Sequence, residues 1–303
     1  MGVISTGNHP KALWPGVHAW FGKSYSEHRE EYPDLFEMLT SDMAYEEEVQ
    51  TTGFGLAPVK TQGGGVSYAS DLQGPTARYT HVVYGLGYIV TREEIEDNLY
   101  ESKSFNRAGA LAFSMRQTKE NVAANVYNRA GNSSYTGADG LELLSTAHIL
   151  SGGGTWSNEL NPAADLSEAA LEDILIQIAT TTDDNGLKIS LLPKVMLVPP
   201  QLMFDAERLL QTIQQPGTAN NDVNAVRSMG LIPGGYKVNH YFTDADMWFI
   251  RTNSPHGMKF FTRRAIEFTK DNDFDTENAK AKATERYVCG WTDPRGLFGS
   301  VGA

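Results

Sequence analysis

Apolar positions recur with a helical period from Lys103 to Ala130, at Phe105, Ala108, Ala112, Met115, Val122 and Val126. The stretch holds no proline, Ser104 stands at an N-cap position, and Gly131 stands where a left-handed residue ends a helix. It predicts a helix of about 40 Å, from 1.5 Å of rise per residue. Its stripe is narrow and mostly small, which suits a helix lying along a surface or spanning between parts. Further on the period changes to two. Residues 265–270 alternate, and from Ala279 to Trp291 the residues Ala281, Ala283, Tyr287, Cys289 and Trp291 fall on one face. Lys280, Lys282, Thr284 and Arg286 fall on the other. Between these regions lies an α/β block. Ser167 caps a helix with Leu171, Ile174, Leu175 and Ile178 inward, and the apolar run from Pro193 to Pro200 reads as a buried central strand. Pro200 opens another helix with Leu202, Ala206, Leu209 and Leu210, and 236–241 and 247–251 read as strands.

Upstream of the long helix the pattern thins. Tyr45 to Val90 reads as an extended ribbon, punctuated by Gly53, Gly55, Gly63, Gly64 and Gly65 and broken at Gly74-Pro75. From Arg78 it resumes as a strand, with Tyr79, Val83 and Ile89 alternating against Val82, Tyr84 and Tyr88. Two isolated strands with few large apolar groups do not build a core, so the ribbon needs a surface outside itself, expected to be another molecule. Thr91 and Glu94 form a capping box for a short helix to Tyr100. Residues 1 to about 30 show no sustained period. Trp14, Trp20 and Phe21 are apolar anchors there and require a surface to lie on. Pro33 sits near the start of a short helix carrying Leu35, Phe36 and Leu39.

Composition narrows the function classes. The chain has 303 residues and a net charge of −12, with a pI near 5.0. A basic nucleic-acid-binding surface is therefore not expected, because neutralising phosphates takes clustered Lys and Arg. One cysteine, Cys289, leaves no disulfide framework and no cysteine zinc site, and its strand context predicts a packing role. No run reaches the roughly 18 apolar residues of a membrane span, and the N-terminus lacks a signal-peptide core.

Candidate chemistry is mostly excluded by its context. Gly22-Lys23-Ser24 ends like a phosphate-binding loop, but Val17 stands where the motif needs glycine and no buried strand precedes it. Gly65-Val66-Ser67-Tyr68-Ala69 approaches a nucleophile elbow without its last glycine or its helix. Asp271, Asp273 and Asp275 alternate as in a calcium loop, yet Thr276 and Lys282 replace the glycine and glutamate it requires. No histidine pair has ligand spacing. No cofactor, metal or catalytic residue is expected. The acidic run Glu46-Glu47-Glu48 and the basic stripe Lys280, Lys282 and Arg286 are either solvated faces or complementary contacts between neighbours.

Six segments in order carry a family likeness: YIVTREEIEDNLY (88–100), the long helix, ADGLELLSTAHILSGGGTWSN (138–158), PKVMLVPPQLMFDAERLL (193–210), YFTDADMWFIRTN (241–253) and RYVCGWTDPRGLFGS (286–300). Together they resemble the major capsid proteins of tailed bacteriophages with the Hong Kong 97-type fold, and most nearly the Mu-like prophage major head subunit family. The resemblance implies an α+β fold of five parts: an N-terminal arm (1–45), an extended loop (46–90), a peripheral domain (91–164) with its spine helix at 103–130, an axial α/β domain (165–262), and return strands (263–303) that complete the peripheral sheet and end near the axial domain. It further implies a non-enzymatic subunit that assembles with itself into hexamers and pentamers of an icosahedral shell. That shell encloses double-stranded DNA without sequence-specific binding and without a membrane, and is built in the host cytoplasm with a scaffolding protein, a portal and a decoration protein as partners. No long coiled segment precedes the arm, so the scaffold is expected as a separate protein or as a segment already removed. Intersubunit contacts are expected at Trp14, Trp20, Glu46, Glu47, Glu48, Phe54, Lys60, Lys280, Lys282 and Arg286, with Gly53, Gly55, Gly63, Gly64 and Gly65 as hinges. Some members crosslink a loop lysine to a neighbour's asparagine; Lys60 lies in a suitable loop, although a plain surface lysine is the better reading. The alternatives are an encapsulin-like cellular nanocompartment shell and, more distantly, a nucleotide-binding or hydrolytic enzyme using Lys23 or Ser67, or a glycan-binding virion module.

Overall fold

The computed structural model describes residues 14–93, 100–214, 223–273 and 275–302, with side chains from Phe21 onward in the first helix and from Arg107 onward in the long one. In chain order the elements are α1 (Trp14–Glu27), α2 (Tyr32–Leu35), β1 (Glu37–Thr40), β2 (Tyr45–Thr51), β3 (Gln73–Thr80), β4 (Val82–Val90) and α3 (Tyr100–Asn128). Next come β5 (His148–Ile149), β6 (Thr155–Trp156), α4 (Glu168–Thr180), β7 (Pro193–Val198), α5 (Met203–Gln211) and α6 (Ala225–Met229). The chain closes with β8 (Tyr236–Val238), β9 (Trp248–Thr252), β10 (Met258–Asn272), β11 (Ala279–Trp291) and β12 (Leu297–Ser300).

Two four-stranded sheets organise these elements, one ordered β1-β10-β11-β4 and the other β12-β9-β7-β8. In the first, β1 runs parallel to β10, while β11 is antiparallel to both β10 and β4. The alternation read from Ala279 onward is realised directly. Ala279, Ala281, Ala283 and Tyr287 are buried, while Lys280 and Lys282 are exposed. The buried alanines meet Ala108, Leu111, Ala112 and Met115 of α3. Small side chains on both partners let the helix lie close to the sheet, which is why a stripe poor in large residues still forms a core.

In the second sheet β7 is parallel to β8 and antiparallel to β9, and β12 adds antiparallel to β9. Met196, Val198, Trp248, Ile250 and Phe298 pack against Leu171, Ile174 and Ile178 of α4. Each such fully buried large side chain contributes roughly 1.5–3 kcal/mol. Ser167 caps α4 as expected, its hydroxyl accepting the Ala170 N–H at 3.2 Å. A third cluster joins the two sheets, bringing Ala123, Ala124 and Tyr127 of α3 against Phe249 and Phe260 with Tyr32, Leu35 and Phe36.

The N-terminal segment departs from expectation. Residues 14–27 are helical, and Phe21 is buried against the α3 stripe and Phe268. Phe21, the anchor whose side chain is described, finds its surface on its own spine helix. Glu94, the second half of the expected capping box, lies outside the described residues, as does Phe274 in the Asp271–Asp275 turn. Leu39, expected in the short helix, stands in β1.

Candidate assembly surfaces

A band of buried charge runs along the middle of α3, where the sequence pattern showed only a polar face. Lys119 and Glu285 of β11 form an ion pair at 2.6 Å with side chains 8% and 1% exposed. The Lys119 ammonium also donates to the Tyr25 hydroxyl at 3.1 Å and lies 5.3 Å from the Tyr287 ring centroid. Burial pushes the Glu285 carboxyl up, with Lys119 pulling against it. Burial also pushes the Lys119 ammonium down, but the Glu285 charge outweighs it and the net shift is upward. One turn before, Arg116 pairs with Glu30, donates to the Tyr25 carbonyl at 3.0 Å, and stacks 3.9 Å over the Tyr25 ring.

Glu120 completes the band. Its two carboxylate oxygens accept the backbone N–H groups of Glu31 and Tyr32 at 2.9 and 2.8 Å, so a spine side chain caps α2. Burial, aided by the nearby Glu31 charge, pushes its carboxyl up to about 7, against the pull of those two bonds. From the other side Glu31 accepts the His240 backbone N–H at 2.9 Å, and Arg251 donates to the Asp34 carbonyl at 2.9 Å. Residues 30–36 are thus held between α3 and the second sheet. This grip makes one unit of two sheets.

The ribbon divides into a bound base and an exposed tip. At the base β2 and β3 pair antiparallel, and Glu48 accepts hydrogen bonds from Lys259 Nζ and Thr292 Oγ1, both at 2.6 Å. The Tyr79 hydroxyl shares the Thr292 Oγ1 at 2.6 Å, and its ring packs on Phe261 at 5.0 Å. Burial raises the Glu48 carboxyl, but the Lys259 and Thr292 bonds outweigh it and hold the group below the usual carboxylate range. Glu48 is therefore hydrogen-bonded inside its own subunit. Glu46 accepts from Ser41 Oγ at 2.5 Å, and Glu47 lies 3.7 Å from Arg78 across the hairpin. Asn185, in the turn after α4, donates to the Thr52 carbonyl at 2.7 Å.

Beyond Thr52 the support ends. Residues 53–71 form no strand, and Phe54, Leu56, Val59, Val66 and Tyr68 are 63–97% exposed. Lys60 lies exposed among them. Gly53 and Gly63 adopt φ of 69° and 80°, the left-handed region that suits glycine at the root and tip of the loop; Gly55, Gly64 and Gly65 do not.

The remaining expected residues scatter. Trp14 and Trp20 lie in α1, but their side chains are outside those described. Lys280 pairs with Asp273 at 2.5 Å, the Arg286 guanidinium reaches the His81 carbonyl at 3.4 Å, and Lys282 is exposed. Gly22-Lys23-Ser24 lies inside α1, which removes the phosphate-loop reading because that motif must be a turn between strand and helix. Ser67 sits in the exposed loop, and no cluster of three metal-ligating residues occurs among the described residues. The Cys289 thiol is pushed up to about 12 by burial, as a packing cysteine should be. Sequence reasoning missed Asn158, whose buried amide donates to the Leu143 and Leu297 carbonyls at 2.7 and 3.0 Å while its oxygen accepts the Ser145 N–H at 2.9 Å.

These features are those of a subunit with an exposed apolar loop. The profile of the family described as phage capsid protein matches residues 74–299. The mature capsid of bacteriophage PhiM1 aligns with TM-score 0.53 at 12% identity, covering 90% of this chain and 86% of that one. The capsid of cyanophage P-SCSP1u gives 0.52 at 12% over 91% and 88%, and Mycobacterium phage Che8 gives 0.51 at 12% over 91% and 93%. No curated protein matches. At these identities the likeness shows the fold, which is the Hong Kong 97-type capsid fold. The chain belongs to the phage capsid protein family and is a major capsid protein, one of many copies that make the shell of a virion.

Proposed function

We propose that the subunits form hexamers and pentamers in which the unit containing the second sheet surrounds the axis and the loop of residues 53–71 lies over the adjacent subunit. The observation that carries this reading is the loop itself. Five large apolar side chains stand in water on a ribbon whose base is fixed by Glu48, Lys259 and Thr292. Burying them on a neighbour supplies an apolar driving force of roughly 25 cal/mol per Å², and repetition around a closed ring multiplies modest contacts. α3 acts as a strut, and the glycines of the loop adjust its angle from one position in the shell to another. Scaffolding, a portal and a decoration protein are the expected partners in a host cytoplasm, and the enclosed DNA meets a subunit of net charge −12 that does not grip it. The test is a variant in which residues 54–70 are replaced by a short Gly-Ser turn. The expected result is a folded subunit that no longer forms shells; shells formed as efficiently as by the wild type would refute the role of the loop.

A further inference from the structure

The strand β4 has an undefended edge. Its sequence, VVYGLGYIV, contains no charge and no proline over nine residues. One edge pairs with β11, and no strand among the described residues pairs with the other. Long uncharged edges are templates for strand addition, and proteins usually blunt them with charge or proline. At the opposite side of the sheet β1 covers β10 only as far as Thr262, and the uncovered part of β10 carries Arg264, Glu267 and Asp271. Among the described residues of this sheet, the long uncovered edge that is bare of charge is that of β4.

The outer face of this edge has a distinct shape. Register places Val83, Gly85, Gly87 and Ile89 beside Arg286, Thr284, Lys282 and Lys280, on the side away from α3. Val83 and Ile89 are 54% and 57% exposed, and the two glycines between them carry no side chain, Thr284 and Lys282 of β11 standing close to where one would be. Gly87 and Lys282 line a recess of about 810 Å³ over this face.

The same chain carries an unpaired segment that fits. In the loop of residues 53–71 the first arm contains Pro58, which has no N–H to give, whereas Gly65–Asp71 has neither proline nor cation. In an extended arm Val66, Tyr68 and Ser70 share one side, and Tyr68 is 97% exposed. We propose that Gly65–Asp71 of a second copy adds as a strand to the β4 edge and lays Tyr68 over Gly85 and Gly87. Backbone hydrogen bonds hold the added strand, and the aromatic ring covers two glycines that lack side chains of their own, a pairing that stabilises sheet edges. This rests on the shell reading above and adds to it the receiving surface.

The test uses Cys289→Ser, which removes the only cysteine, combined with Tyr68→Cys and either Val83→Cys or Ile89→Cys. Mild oxidation of assembled shells is expected to yield intermolecular disulfide ladders for one of the two pairs, and none for the single-cysteine variants. In wild-type protein, amides of residues 82–90 are expected to exchange at least tenfold more slowly in shells than in unassembled subunits. Shells that form yet show neither crosslink nor added protection would overturn the pairing and leave the capsid reading intact. If the cysteine variants do not assemble, the wild-type exchange result decides alone. If the wild type forms no shells under any condition, the capsid reading and the pairing fall together.

Discussion

Lys119→Met isolates the buried ion pair at the centre of the spine. The substitution keeps the side-chain length and most of the packing against Tyr25, Tyr32 and Tyr287. It strands Glu285, which is 1% exposed, without its paired cation and leaves only the weaker pull of Arg116. Breaking a buried pair costs about 3–5 kcal/mol. Here the Glu285 carboxyl is already pushed up by burial, so it takes a proton, and a loss near 3 kcal/mol is expected at neutral pH. The sign of the pH effect follows. Without Lys119 the folded carboxyl holds its proton to higher pH than the unfolded one does. The variant is then closest to wild type in acid and loses stability as pH rises. Glu285→Leu added to Lys119→Met should recover most of the loss, since apolar replacement of both partners removes the stranded charge. Urea unfolding of unassembled subunits, run as a double-mutant cycle, reads the coupling. A coupling below about 0.5 kcal/mol, or single variants no worse than surface changes, would refute the reasoning.

Glu120 makes a separate prediction. Its folded carboxyl holds a proton up to about 7 while the usual value is 4.5, so its stabilisation is full below the unfolded value and is lost as pH rises through about 7. That slope, worth up to about 3 kcal/mol, should vanish in Glu120→Gln; parallel melting profiles for the two proteins between acid and neutral pH would contradict it. Asn158→Leu should lose about 3 kcal/mol or more by leaving buried carbonyls unpaired, with denaturation midpoints as the readout. Lys259→Met should free the hairpin base, raising proteolysis after Thr52 and exchange of the β2 amides without unfolding the second sheet, as read by limited digestion and mass spectrometry.

Much of the scaffold was legible because its chemistry is periodic. The two-residue alternation of β11, the apolar run of β7 bounded by prolines and the Ser167 cap each follow from local rules. The buried charges were not legible. Arg116, Lys119 and Glu120 sit on the inward side of α3, but a charged side chain in a helical pattern reads as solvent-facing, and only the partner across the fold reverses that. A signal did exist at Glu285, which occupies an inward position between Ala283 and Tyr287 in an otherwise clean alternation. The N-terminal helix was hidden for a related reason, because its packing surface is α3, more than eighty residues away in sequence. The Glu46–Glu48 run showed charge without geometry, and the fold spends Glu48 on Lys259 and Thr292 inside the subunit. Asn158 left no pattern at all, since its role is to meet carbonyls brought together only by the tertiary structure.

Self-assembly is the claim on which the rest depends. Purified protein, alone and co-expressed with scaffold and head-assembly genes, is sedimented and imaged by negative-stain microscopy. The account predicts closed shells built of sixfold and fivefold capsomers. A species that stays at 33.3 kDa under every one of these conditions would contradict it.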